Sequence, residues 1–141
     1  MVKIVQYNIQ SLKTKKNYFE FFINKYDIDI GLLSEIFSID ESKDFTKFVN
    51  FNLICKTRND KYGGVAILFK NHIKFRRIDF ATEFDILCVE TTNLSTNLTI
   101  ISVYFPHSVK VADFVEQVIC GDFNARCKDF GDKLDSVRGK N

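Results

Sequence analysis

Breakers are scarce in this chain: proline occurs once, at Pro106, and glycine six times in 141 residues. That scarcity excludes collagen-like and low-complexity sequence, and it leaves Gly31, Gly63, Gly64, Pro106, Gly121, Gly131 and Gly139 to mark boundaries. No apolar run approaches the ~20 residues of a membrane-spanning helix, so no membrane partner is expected. Cys55, Cys88, Cys120 and Cys127 lack C-x-x-C spacing, which excludes a cysteine metal set. A charged-then-apolar leader is also missing, and the expectation is an intracellular, non-secreted protein with reduced thiols. The N-x-S/T matches at Asn93 and Asn97 then have no role as glycosylation sites. A large charge of one sign is absent too: 20 Lys and Arg face 18 Asp and Glu, for a net charge of +2. Charge alone therefore gives no footprint for nucleic acid. Basic groups at Lys13, Lys15 and Lys16, at Arg76 and Arg77, and at Lys128, Lys133, Arg138 and Lys140 read first as solvated faces.

What is present is globular: 45% hydrophobic and 27% charged residues at a length that suits one core and one domain, residues 1–141. "VKIVQYNI" reads as a buried strand. From Thr14 to Tyr26, Phe19, Phe22, Ile23 and Tyr26 fall at i, i+3, i+4 and i+7, the spacing of one helical face. "DIGLLSEI" supplies a second strand, so residues 2–36 predict a right-handed βαβ unit with parallel strands. An aromatic-rich segment over 45–56 predicts a short helix and then the strand "FNLICK". "GGVAILFK", "KFRRIDF", "DILCVETT" and "LTIISVYF" predict antiparallel hairpins and a meander. "VADFVEQ" has helical composition, and "VICGDF" is again a strand. The pattern is α/β, two packed sheets flanked by helices.

Asn8, Glu35, Tyr104, Asp122 and Asn124 each stand at or near the C-terminal end of an apolar strand-like run. Such ends converge on one edge of an α/β fold, where ligand sites are assembled. Asp122 and Asn124, two apart in an extended chain, project to one face. A carboxylate there can orient or deprotonate a water, and an amide can donate to a phosphate oxygen. Gly121 lets backbone approach closely. The same "GDFN" also suits an ordinary Asx turn. Glu35 after "IGLL" is costly to bury unless paired or bound to a cation, and Mg²⁺ suits a site with one or two carboxylates; taken alone, that position reads first as a polar residue opening a loop. Tyr104 could serve a phosphate or the core. His72 and His107, beside loop signals, read as structural or exposed.

Taken in order, "VQYNIQSL", "LLSEIF", "YGGVAILFK", "ISVYFPH" and "VICGDFNAR" resemble the endonuclease/exonuclease/phosphatase superfamily. "TRNDKYGGVAIL" and the tail "GDFNARCKDFGDKLDSVRGKN" are most similar to the endonuclease domain of non-LTR retrotransposons, with Phe130 where that branch often carries a tryptophan. The resemblance runs almost end to end. It implies a DNase-like four-layer sandwich, DNA as partner, a nuclear location, and hydrolysis of DNA phosphodiesters with Mg²⁺ or Mn²⁺. It also implies roles: Glu35 holding the metal with Asn8 beside it, Tyr104 and Asn124 holding the phosphate, Asp122 aligning the attacking water, and Arg58 and Arg126 on the DNA backbone. Two departures stand out. The family closes with a further Asp and an "SDH"-like ending that these residues do not contain, and His107 matches a different loop, so the resemblance implies the N-terminal portion of a domain, incomplete at its C-terminal end and inactive alone. Pro106 and Gly121 are also closer together than in the family, which leaves room for about one short helix. Two further readings stay open, a non-catalytic module that binds nucleic acid and a phosphatase-type member of the superfamily.

Overall fold

The computed structural model describes residues 1–37, 46–58, 62–79, 84–104 and 119–122. The chain opens with β1 (Ile4–Asn8), α1 (Leu12–Lys25) and β2 (Ile30–Ser34), and β1 and β2 pair in parallel with Ile4 opposite Ile30 and Asn8 opposite Ser34. This is the βαβ unit that the periodicity predicts. Ser11 caps α1 by accepting the Thr14 N–H at 3.4 Å, the role a short hydroxyl side chain performs at a helix start. The helix buries Leu12, Phe19 and Ile23, while Phe22 is half-buried and stacks on Phe19 with ring centroids 6.3 Å apart. Gly31 of β2 lets this stripe come close. A Cβ there would lie 3.3 Å from Phe19 Cζ, tighter than ordinary van der Waals contact.

β3 (Phe51–Lys56) and β4 (Val65–Lys70) form an antiparallel pair, and β4 lies between β2 and β3, giving the order β1-β2-β4-β3. The second sheet is β5 (Phe75–Ile78), β6 (Asp85–Thr91) and β7 (Thr99–Tyr104) as an antiparallel meander, followed by β8 (Ile119–Asp122) parallel to β7. Every strand predicted from apolar runs is present. Of the short helix expected within 45–56, the described residues show Thr46 in a 3₁₀ turn, and no helix extends over 47–50. A tight turn stands there instead, closed by Phe51 N–H donating to Phe48 O at 3.4 Å, with Asn50 at φ 66°. Asn is among the few residues that adopt this left-handed conformation readily. The "VADFVEQ" segment lies outside the described residues.

Alternation along the strands separates two cores. Leu33, Ala66 and Leu68 face α1 together with Phe19, Ile23 and Phe48, whereas Ile30, Leu32, Val65, Ile67 and Phe69 face the second sheet and meet Leu87, Val89, Ile100 and Tyr104. β4 is buried on both faces apart from Lys70 at its end, as a strand in the middle of a sandwich must be. Among the described residues the result is helix on sheet on sheet, three layers of the four-layer sandwich expected from the sequence. β5, by contrast, is a largely exposed edge carrying charge: Arg76 pairs with Glu90 at 2.7 Å and Arg77 with Asp79 at 2.7 Å. Charged edges discourage pairing with other chains. Among the described residues no helix is long and apolar enough to cross a membrane.

Candidate functional site

Strand direction brings the polar strand ends together. In the first sheet, the parallel β1 and β2 end in register at Asn8 and Ser34, and the antiparallel β4 begins at Val65, opposite Ser34. In the second, the parallel β7 and β8 end in register at Tyr104 and Asp122, and β6 begins at Asp85, opposite Tyr104. Both sets belong to one rim of the sandwich, because the residues leading into β4 reach across to the start of β6. Gly64 N–H donates to Asp85 Oδ2 at 3.0 Å, and Lys56 Nζ donates to Phe84 O at 2.7 Å. β8 also lies against β1 and β2.

The loops that leave these ends are tied to one another. Ile9 N–H donates to Ser34 O at 3.0 Å, Ser11 N–H to Glu35 O at 2.9 Å, and Leu12 N–H to Ile36 O at 3.2 Å, so the β1–β2 ladder continues past both strands. Phe37 N–H donates to Gly63 O at 2.9 Å, joining the third loop. The backbone there is bent hard: Gln10, Ser11, Glu35 and Phe37 have φ of 45°, 91°, 53° and 64°. Left-handed conformations at non-glycine residues cost of order 1–3 kcal/mol each and persist where the surroundings over-determine them. Glu35 therefore leaves the strand in a held orientation, half-buried at the rim.

Of the residues singled out from sequence, Asn8, Glu35, Arg58 and Tyr104 stand on this rim, and the backbone of Asp122 pairs there with Tyr104. Tyr104 is 8% exposed and belongs to the inter-sheet core, so it fulfils the packing reading while its ring edge approaches the Gly63 turn. Asn124, Arg126 and His107 lie outside the described residues. His72 is exposed beyond the far end of β4, away from the rim, and its carbonyl accepts Asn93 Nδ2–H at 2.7 Å. Two residues at the rim escaped sequence reading. Asp85 is 3% exposed and its Oδ2 lies 3.7 Å from Arg58 Nη1. Ser34 is 2% exposed and its Oγ has no hydrogen-bond partner among the described residues. The signal for both was available, since each is a polar residue abutting a buried strand run, in "LLSE" and "FDIL".

Alternation places Ser34 on the inter-sheet face with Ile30 and Leu32, in register with Asn8 and one residue before Glu35. An amide, a hydroxyl and a carboxylate are thus contributed by neighbouring positions. Oxygen donors with a single carboxylate suit Mg²⁺, which keeps several waters and takes its remaining oxygens from substrate phosphate. The buried, unpartnered hydroxyl fits a site completed by such a shell. Cys88 lies elsewhere, in β6, where burial and then the Glu90 charge push its thiol pKa up, as for an inert structural thiol.

Residues 5–140 match the model of the Endonuclease/Exonuclease/phosphatase family. Among solved structures, the endonuclease domain of TRAS1, a telomere-specific non-LTR retrotransposon, superposes with a TM-score of 0.75 at 18% identity, covering 99% of this chain and 67% of that one. An AP endonuclease from Archaeoglobus fulgidus gives 0.58 at 15% identity, over 79% of this chain and 44% of its own. A 3′ phosphatase from Neisseria bound to product DNA hairpin gives 0.51 at 19% identity, over 74% and 41%. At these identities the likeness is one of fold. This chain spans two-thirds of the length of the first and less than half of the other two. No curated protein sequence matches it.

Proposed function

Because the chain belongs to the Endonuclease/Exonuclease/phosphatase family, we propose that its strand-end rim is a site for divalent-metal-dependent hydrolysis of DNA phosphodiesters, of the retrotransposon endonuclease kind. The observation that supports this reading is the joining of both sheets' polar strand ends at one rim, through the Gly64–Asp85 hydrogen bond. Glu35 and Asn8 would hold Mg²⁺ or Mn²⁺. When bound, the metal supplies Lewis-acid stabilisation of charge on the phosphoryl and leaving oxygens.

The chain's own residues do the remaining work. The Tyr104 hydroxyl and the Asn124 amide donate to phosphate oxygens without adding charge. Asp122 orients a water and accepts its proton as the water attacks phosphorus. Arg58 and Arg126 pair with backbone phosphates, which fix register without reading sequence. A DNA substrate would place the protein in the nucleus.

Nicking of supercoiled plasmid with Mg²⁺ tests the proposal. Cleavage that EDTA abolishes and that Glu35→Ala lowers at least ~100-fold, the scale of losing an electrostatic stabiliser, would support the site and overturn the expectation that these residues are inactive alone. Cleavage by Glu35→Ala at the wild-type rate would sink the assignment. Salt-dependent DNA binding indifferent to Mg²⁺ and to Asp122→Ala, without nicking, would point to a non-catalytic binding module. Release of inorganic phosphate from a monoester instead would move the substrate to the phosphatase branch.

A further inference from the structure

We propose that Asp85 is a positioning residue whose buried carboxylate holds the Arg58 guanidinium and the Gly63–Gly64 turn against Tyr104, fixing a cation at the phosphate end of the rim. The proposal rests on reading this rim as a DNA phosphodiester site. Asp85 begins β6, yet its partners come from the connection between β3 and β4 in the other sheet: Gly64 N–H at 3.0 Å and Arg58 Nη1 at 3.7 Å. A carboxylate buried to this degree is costly unless it is paired and hydrogen-bonded. The amide and the guanidinium answer that cost, and in doing so they bind one sheet's rim to the other's.

The turn is shaped for this contact. Gly63 and Gly64 have φ of +66° and +82°, conformations that glycine adopts without steric cost. A Cβ on Gly63 would stand 2.8 Å from Arg58 Cδ, 2.8 Å from Asp85 Oδ2 and 3.3 Å from Tyr104 Cε1. The Arg58 stem, the carboxylate and the tyrosine ring thus converge on one point where only a hydrogen fits. Arg58 keeps its side chain about one-third exposed, at 32%, while Asp85 is at 3%, so the pair has a dry end and a wet end. At 3.7 Å the ion pair is longer than a good hydrogen bond, and the Gly64 amide makes a shorter contact to that oxygen. The guanidinium, with five N–H donors in a planar fork, suits a phosphate at the wet end.

The sign of one substitution separates positioning from simple charge. A carboxylate beside bound DNA repels it, so Asp85→Asn would tighten DNA binding if charge were the whole of its contribution. Positioning requires the opposite. Binding of the full chain to fluorescently labelled duplex DNA is measured in EDTA over a series of salt concentrations. Arg58→Ala is expected to weaken binding roughly tenfold and to lower the salt slope by about one phosphate. Asp85→Asn should weaken it to a similar degree, and the double variant should bind no worse than Arg58→Ala. Wild-type or tighter binding by Asp85→Asn, or losses that multiply in the double variant, would overturn the proposal. Gly63→Ala leaves every charge in place while displacing the Arg58 stem, and it should reproduce the loss; this variant decides the question if Asp85→Asn does not fold. A wild-type chain without salt-dependent DNA binding would defeat the functional reading instead. Asp85 is then judged by hydrogen exchange at the Gly64 amide, where faster exchange in Asp85→Asn supports the clamp and unchanged exchange refutes it.

Discussion

At the scale of single residues, the rim departs from what packing alone would select. Ser34 occupies a position where Ile30 and Leu32, earlier on the same face, are apolar, and its buried hydroxyl has no partner among the described residues. An unsatisfied buried donor costs about 1–3 kcal/mol. Ser34→Ala is therefore expected to raise the urea midpoint in EDTA by the equivalent of about 1 kcal/mol, and a lowered midpoint would contradict this account. The bent backbones at Gln10, Ser11, Glu35 and Phe37 belong to the same economy: strain gathers at the strand ends that carry polar side chains, while the strand interiors are regular. Glu35 was legible in the sequence as a carboxylate ending an apolar run. Its left-handed backbone was not, because a glutamate enters that region at a steric cost that its surroundings must offset.

At the scale of elements, α1 is held by its buried stripe more than by its ends. Tyr7 and Phe22 each stack on Phe19, at centroid distances of 5.8 and 6.3 Å, and Gly31 of β2 admits the ring. Phe19→Ala should cost about 3–5 kcal/mol, the range for emptying a buried aromatic site, with chemical denaturation as the measure. A loss under about 1 kcal/mol would mean that the helix can repack or detach without penalty. The helical spacing of Phe19, Phe22, Ile23 and Tyr26 foretold this element, although Tyr26 is half-exposed and caps the helix rather than packing beneath it. The lysines read as solvated are in part paired: Lys16, itself partly buried, reaches Glu20 at 2.6 Å.

At the scale of the molecule, charges away from the rim hold the opposite end of the first sheet. Lys70, closing β4, lies 2.6 Å from Asp27 and 3.0 Å from Asp29, and the Lys3 N–H donates to Asp29 at 2.8 Å. Burial opposes ionisation of Asp29, but the Lys3 amide and the Lys70 ammonium outweigh it and hold its pKa below the ordinary value. Burial likewise opposes ionisation of Glu20, and Lys16 with the Val49 amide outweighs it, so that pKa is also lowered. Lowered carboxylate values mean stability that is present above the unfolded pKa values, about 3.9 for Asp and 4.3 for Glu, and lost as pH falls through the folded ones. The urea midpoint should therefore fall on acidification below about pH 4, and Asp29→Asn should flatten part of that fall. Lys70 has the opposite sign. Its hydrogen bond to Asp27 leads the effects that raise its pKa, so its contribution persists below the ordinary lysine value and disappears as alkaline pH passes the folded one.

Periodicity sufficed for the parts whose cause is local. Apolar runs bounded by polar turns located each described strand, and a four-residue stripe located the helix, because burial on one face imposes its own spacing. The strand-end positions of Asn8, Glu35, Tyr104 and Asp122 were equally visible, since an apolar run has a last residue wherever it folds. Pairing order, and hence whether two separate rims face the same way, depends on contacts between residues tens of positions apart that no window along the chain contains. β4 inserting beside β2, and the Gly64 amide reaching Asp85 across both sheets, are of that kind. Asp85 looked like an ordinary residue before a strand until the fold buried it beneath Arg58.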